Sequence, residues 1–271
     1  MKIQLLFSYL LLLCLKNLNA LDLPTIPTLP TIPTIPTIPT IPTIPTSCLL
    51  LKTQDKTTPS SANIKMLGSA AYYAVLAGSG ITIIGPSTLT GSAGVYPTGA
   101  LSGNEITYIA GVPHVADTYA QTAQSDLATG YTTLLNYPHG DFNNLDLAGQ
   151  VLVPGVYAFA SSAALSAIHP LTLDAQLDPN AQWVFQIVST LTVKASSEVR
   201  MINGGSTKNV YWQVGSSATI GKNVKMVGNI IAFYSITFGA NSTMDGRVLA
   251  LNGATSMNSN NVTSVDCIGL I

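Results

Sequence analysis

The 271-residue chain carries 11 Lys/Arg against 12 Asp/Glu, a formal net charge of −1. It therefore lacks the basic surplus that nucleic acid or an anionic membrane demands of a partner, and neither is expected to bind. Its mean hydropathy of +0.38 would suit a membrane protein, yet no long apolar run follows the first twenty residues. Ala, Gly, Ser, Thr and Val supply the apolar excess, the composition of a tightly coiled β protein with small residues at its corners.

Residues 1–20 open with Lys2, run apolar through Leu5–Leu15 and end Leu18-Asn19-Ala20. This is the pattern of a signal peptide, too short and wrongly flanked for a membrane span. A secreted, extracellular chain starting near Leu21 is expected. Cys14 leaves with the signal, and Cys48 and Cys267 remain. In an oxidising compartment the pair reads as one disulfide, with two unpaired thiols as the alternative.

From Pro24 to Thr46 the sequence is a Pro-Thr-Ile triplet with one Leu29 variant. Proline at every third position fixes polyproline II, which has three residues per turn. At ~3.1 Å per residue these 23 residues span roughly 70 Å. A spacer, a carrier of O-linked sugar and a threonine-ridge binding surface all fit this rod. The polar Ser47–Lys65 stretch continues it, so residues 21–65 form one linker and the folded domain covers residues 66–271.

Within the domain, Tyr73–Leu76, Ile81–Ile84 and Ser87–Thr90 read as short strands, with Gly85, Gly91, Gly94 and Gly99 at the corners. Between Val115 and Asn136 the period changes. Val115, Tyr119, Ala120, Ala123, Leu127, Tyr131, Leu134 and Leu135 fall on one helical stripe, with Asp117, Gln121, Gln124 and Asp126 off it. Pro113 and Pro138 flank that helix. From Val151 onward every segment is strand-like again.

The later segments can be laid over one another in three columns. Asn209–Val214, Asn229–Phe233 and Arg247–Leu251 are apolar at consecutive positions, as strands buried on both sides are, and the helix is their cover. Lys222–Met226, Ser242–Asp245 and Ser259–Thr263 alternate, with Lys, Asp and Asn outward as on an ordinary solvated face. The third column holds Thr192, Thr219, Thr237 and Ser256, separated by 27, 18 and 19 residues, each between mostly apolar neighbours. A period near 20 is that of a solenoid coil. Alternation turns the hydroxyls outward, and Thr82 and Ser166 fit the same frame. Thr190, Ser217 and Ser235 form a parallel row.

A threonine ladder can be architecture alone, since Thr–Thr pairs stabilise adjacent strands by ~0.2–1 kcal/mol. Lys and Glu, however, are kept to another column. Ordering such a side chain costs up to ~2 kcal/mol, so a face that matches an ordered lattice excludes them.

Asn209–Gly221 (NVYWQVGSSATIG), Val227–Phe238, Asp245–Ala254, Leu67–Gly80 and Leu173–Ala181 resemble the microbial ice-binding (antifreeze) domain, the DUF3494 family. The match spans roughly Met66 to Val265. The resemblance implies a mostly β fold: a discontinuous right-handed parallel β-helix of triangular section with one long helix along a side. It also implies adsorption to ice through one flat face, with thermal hysteresis and recrystallisation inhibition, no cofactor and no metal. The ice crystal surface is the implied partner of a monomer. The ladder interruptions at Ser166, Ala254 and Ser256 bear on the strength of that activity.

Two rival readings remain. Polysaccharide cleavage, common among β-helices, wants paired carboxylates in a groove. Here Asp141 and Asp146 lie near His139 in a loop, and Asp174 and Asp178 read as turn caps. His114, His139 and His169 lack metal spacing. An adhesive or carbohydrate-binding module on a stalk is the other reading, against which stands a face without aromatics. Asn241-Ser-Thr and Asn261-Val-Thr are N-glycosylation acceptors in a eukaryotic host.

The cysteine pairing has a direct check. Alkylation of the mature protein without reductant is expected to add no mass, and alkylation after reduction to add two groups; equal masses exclude the Cys48–Cys267 bridge.

Overall fold

Strands of three to five residues cannot bury a face alone, so they stack. The computed structural model describes residues 66–142, 144–167 and 169–264. In it, successive coils form three walls of parallel strands, a parallel β-helix. One coil reads Trp183–Ile187, Leu191–Val193 and Val199–Ile202. The next reads Val210–Val214, Ala218–Ile220 and the first half of Lys225–Ala232. Sheet residues pair in register from coil to coil, as Phe185 with Trp212 and Thr192 with Thr219.

Two strands are long because they turn a corner while still paired. Lys225–Ala232 and Thr243–Ala250 bend at Gly228 and Gly246, which lie opposite each other at φ +100° and +147°. A Cβ on Gly246 would lie 1.7 Å from the Gly228 carbonyl oxygen, so only glycine lets the two backbones close up there.

The β-helix is discontinuous. Tyr73–Ala77, Gly80–Ile84 and Ser87–Thr90 stack on the coil that follows them on one side and, on the other, on the last coil of the chain. Val75 lies opposite Val248, Thr82 opposite Ser256 and Thr88 opposite Asn261. After one more coil and the strand Pro113–Val115, the chain must reach the opposite end of the stack before Val151.

The helix Thr118–Leu135 makes that journey. Its 18 residues cover about 27 Å at ~1.5 Å each. From Pro113–Val115 to Gly140–Asp141 the first wall has eight strand spacings, about 38 Å. The capping and connecting residues on either side make up the difference. Asp117 starts the helix by accepting the Ala120 amide at 2.8 Å.

Inside the coils, ladders of like side chains fill the core. Tyr157, Phe185 and Trp212 stack with ring centroids 5.6 and 4.0 Å apart. Outside the first wall, Val184, Tyr211, Ile231, Leu249 and Leu76 pack under Ala123, Leu127, Tyr131 and Leu134 of the helix. This is the wall buried on both sides, and the helix covers it as expected.

The stripe differs from the sequence expectation at its margins. Tyr119 is 69% exposed and Leu135 49%, whereas Gln124 is buried and donates to the Ala250 carbonyl at 3.2 Å. Val115 belongs to a strand rather than the helix. From the wall, the Gln186 amide donates to the carbonyls of Leu134 and Tyr137 at 2.7 and 3.0 Å, satisfying orphan acceptors at the helix end. Polar stitches thus set the register that a purely apolar stripe leaves loose.

The expected signal peptide, the Pro-Thr-Ile rod and both Cys48 and Cys267 lie outside the described residues. Leu127 is fully buried between helix and wall. Leu127→Ala is expected to cost about 3 kcal/mol through lost burial and the cavity left, read as a lower urea midpoint; a change below about 1 kcal/mol would show that the helix docks by its polar stitches alone.

Candidate functional site

The second wall carries the hydroxyl column. Its strands run in spatial order 163–165, 191–193, 218–220, 236–238, 254–258, 80–84 and 101–102. Leu191/Val193, Ala218/Ile220, Ile236/Phe238, Thr255/Met257 and Ile81/Ile83 turn into the core. The residue between each pair turns out. In register along the stack these are Ala164, Thr192, Thr219, Thr237, Ser256, Thr82 and Ser102. Thr219, Thr237, Ser256, Thr82 and Ser102 are exposed. Neighbouring outward groups are about 4.8 Å apart across the strands.

The parallel row lies one pleat back. The Thr190 carbonyl accepts the Ala163 amide, that of Ser217 the Leu191 amide, and that of Ser235 the Ala218 amide, which keeps Ser162, Thr190, Ser217 and Ser235 in line. The Ser162 and Thr190 hydroxyls share a 2.9 Å hydrogen bond. Ser217 Oγ accepts the Ser235 amide at 3.3 Å. Ala254 and Gly80 continue this row without a hydroxyl.

Ser166 is not in the front row. Ala164 stands opposite Thr192, and Ser166 lies two residues on, past the strand. Its hydroxyl donates to Asp146 Oδ2 at 2.7 Å and its amide to Oδ1 at 3.1 Å. Burial pushes the Asp146 carboxyl up, but the Ala148 amide and the Ser166 hydroxyl and amide outweigh it and hold the group below the usual range. Asp146 bridges to Ala164, so a carboxylate closes this end of the row. The sequence held the cue: Ser161-Ser162-Ala163-Ala164-Leu165 matches Ser216-Ser217-Ala218-Thr219-Ile220 better than a frame centred on Ser166 does. Ser102 was missed because its strand has two residues, too few for alternation to show.

Among the described residues, the hydroxyls of Thr192, Thr219, Thr237 and Ser256 make no hydrogen bond to protein, whereas Ser102 donates to Thr82 at 3.3 Å. The face between Ala164 and Ser102 carries no charged side chain in either row. Its nearest lysines, Lys194 and Lys222, stand in the corner that leads to the third wall.

That third wall is mixed. Glu198 bridges to Lys225, and Val227 lies opposite Asp245. A shallow groove there is lined by Glu198, Lys225, Thr243, Asp245, Asn261 and Thr263, with Val199, Met226, Val227 and Met244 beneath. Asn261 is exposed on this wall, and Asn241 is exposed at the corner before it with φ +58°. Asp174 and Asp178 act as turn caps, accepting the amides of Gln176 and Asn180 at 2.9 and 2.8 Å. His114 is half-buried, 2.7 Å from Asp117 and between Tyr73 and Tyr119. Among the described residues no group of three His, Cys, Asp or Glu is placed to hold a metal ion.

The chain matches the family model described as Ice-binding-like over residues 75–263. It is 44% identical over 211 residues to an ice-binding protein of Nostoc sp. (strain HG1), covering 77% of each chain. The crystal structure of an ice-binding protein from the Antarctic ascomycete Antarctomyces psychrotrophicus superposes with TM-score 0.70 at 33% identity, over 73% of this chain and 97% of that one. A second, from an Antarctic biological consortium, gives TM-score 0.69 at 36% identity over 72% and 89%.

Asp245 shows what a charge costs on these walls. Burial raises its carboxyl above the usual range, against a hydrogen bond from Thr207 and the charges of Lys208 and Arg247. The folded state therefore holds this proton more tightly than the unfolded one, whose carboxyl titrates near ~3.9. Its contribution to stability is full below that pH and is lost as pH rises through the folded value. Asp245→Asn, which keeps an acceptor for Thr207, is expected to melt above the parent at pH 7 and to lose that advantage near pH 3. A variant that melts lower at pH 7 contradicts the burial argument.

Proposed function

The chain belongs to the Ice-binding-like family, and on that premise we propose that it is an antifreeze protein whose second wall adsorbs to ice. The observation that carries the reading is the in-register outward row Thr192, Thr219, Thr237, Ser256, Thr82 and Ser102, uncharged and backed by a rigid core. Thr190, Ser217 and Ser235 form its second rank.

The physical basis is differential fit. Water ordered in a lattice meets hydroxyls on short side chains spaced by a backbone ladder, so little side-chain entropy has to be given up first. Thr suits this better than Ser or Lys, because its β-branch restricts χ1. Each threonine also sets a methyl beside its hydroxyl, so the face offers hydrogen bonding and apolar contact at one spacing. Adsorbed molecules stop the ice between them from advancing, which gives thermal hysteresis and slows recrystallisation.

In this reading the protein is secreted and monomeric, with the Pro-Thr-Ile rod as a spacer ahead of residues 66–271. It performs no covalent chemistry and needs no cofactor. The sugar-binding alternative would look for stacking aromatics, and neither outward row between Ala164 and Ser102 supplies one. Glycans on Asn241 and Asn261 would leave the second wall uncovered.

Thr219→Tyr is the decisive variant, since Thr219 is exposed in the row with a threonine on either side. It is expected to abolish crystal shaping at micromolar protein with the melting temperature unchanged. Full shaping by a folded Thr219→Tyr protein would move the site off this wall.

A further inference from the structure

The third wall reads as an ordinary solvated face only over half its length. Glu198, Arg200, Lys225 and Asp245 are confined to the coils between residues 198 and 245. Beyond them the stacking of the first two coils on the last one builds a different surface. Thr243, Asn261, Thr88 and Thr107 stand in one outward row. Thr263 and Thr90 stand beside Asn261 and Thr88 in the next. The inward positions between them, Met244, Val262 and Leu89, are buried.

This array repeats the design of the second wall. It has an outward hydroxyl or amide on every strand, a Thr-Leu-Thr strand at Thr88–Thr90, a buried apolar floor and no Lys or Arg among its outward residues, with the exposed Glu105 and the half-buried Asp245 at its edges. It is also continuous with the second wall. Strand 80–84 carries Thr82 and runs through Gly85 directly into strand 87–90, which carries Thr88 and Thr90. Strand 254–258 likewise carries Ser256 and runs into 261–263. The same coils that close the row at Ser256, Thr82 and Ser102 therefore open the second array around the corner.

We propose that the ice-binding surface continues around this corner, so that the Thr88/Thr90/Asn261/Thr263/Thr243/Thr107 patch is a second ice-adsorbing face. The proposal rests on the reading of the second wall given above. Two walls of a prism meet at an edge and cannot lie on one flat crystal plane together. The patch therefore adds a second set of planes rather than affinity for the first. Its lateral spacing is again about 4.8 Å, but its order differs: Asp245 and Ile109 bound the inner row where the second wall keeps hydroxyls. Different planes follow from a different lattice of groups.

The test is decoration of a single-crystal ice hemisphere by the fluorescently labelled full chain, produced without N-glycans because Asn261 lies in the patch. Thr219→Tyr, Thr88→Tyr and Thr107→Lys are compared, with the melting temperature as the folding control; Thr107 is exposed at the end of its row, so Thr107→Lys tests the patch even where Tyr at 88 disturbs packing. The parent is expected to decorate two plane sets. Thr219→Tyr should erase one, and Thr88→Tyr and Thr107→Lys the other. A single plane set that only Thr219→Tyr erases overturns the second face and leaves the second-wall reading standing. A single set that only the Thr88 and Thr107 variants erase supports the patch and overturns the second-wall reading. Decoration unchanged in all three variants overturns both.

Discussion

The structure depends on one non-local backbone ladder, the one that lays strands 73–77, 80–84 and 87–90 on strands 247–250, 254–258 and 261–263. It pairs residues such as Thr82 and Ser256, which are 174 positions apart in sequence. Without it the hydroxyl row would stop at Ser256 and the third wall would end at Asn261. The ladder also fixes the helix: once the first coils cap the last, the chain has to travel the full length of the stack to begin its remaining coils. A helix docked on one wall is the way to cover that distance while satisfying its own backbone. Pairing at such separation incurs loop-closure entropy before any contact offsets it, a topology of the kind that folds slowly.

Each wall then inherits its character from what covers it. The first wall faces the helix and so is apolar on both sides, with Gln186, Gln124 and the buried Asn229–Arg247 pair supplying the polar register marks. Arg247 donates to the Ala71 carbonyl at 2.8 Å and to Asn229 at 2.9 Å, so the short segment before the first strand is tied to the last coil by a charge-assisted bond. Covering one wall leaves two for solvent, and of these the third carries Glu198, Arg200, Lys225 and Asp245. The polar groups that the second wall presents outward between Thr192 and Ser102 are hydroxyls.

The sequence shows the period, the three columns and the helix plainly, because each rests on repeated apolar positions whose inward or outward sense alternation dictates. Thr192, Thr219, Thr237 and Ser256 sit where that logic puts them. It fails where the logic thins. Ser166 looks like a row member because a hydroxyl stands between apolar residues, but the register there is set by Ala163 and Leu165, and Asp146 takes the hydroxyl. Ser102 sits in a strand too short to show a pattern. The threonines of strand 87–90 could not be joined to Asn261 and Thr263 from sequence order, since only the discontinuity of the β-helix brings them together.

The position of each residue type within the row carries a further consequence. The second to fourth of the seven strands in this wall hold threonine at three consecutive coils, and the strands on both sides of Thr219 continue the ladder. Toward Ala164 the row loses its hydroxyl and then meets the Asp146 carboxylate, which organises water around a charge rather than in a lattice. Toward Ser256 and Ser102 the hydroxyls persist on side chains with freer rotamers, and Ser102 is steadied by the Ile81 carbonyl and the Thr82 hydroxyl, each 3.3 Å away. The run of rotamer-restricted hydroxyls is therefore unbroken only from Thr192 to Thr237, and it ends abruptly on the charged side. If the second wall adsorbs ice as proposed, a layer registered on Thr192, Thr219 and Thr237 finds further hydroxyl-bearing coils toward Thr82 and none at Ala164.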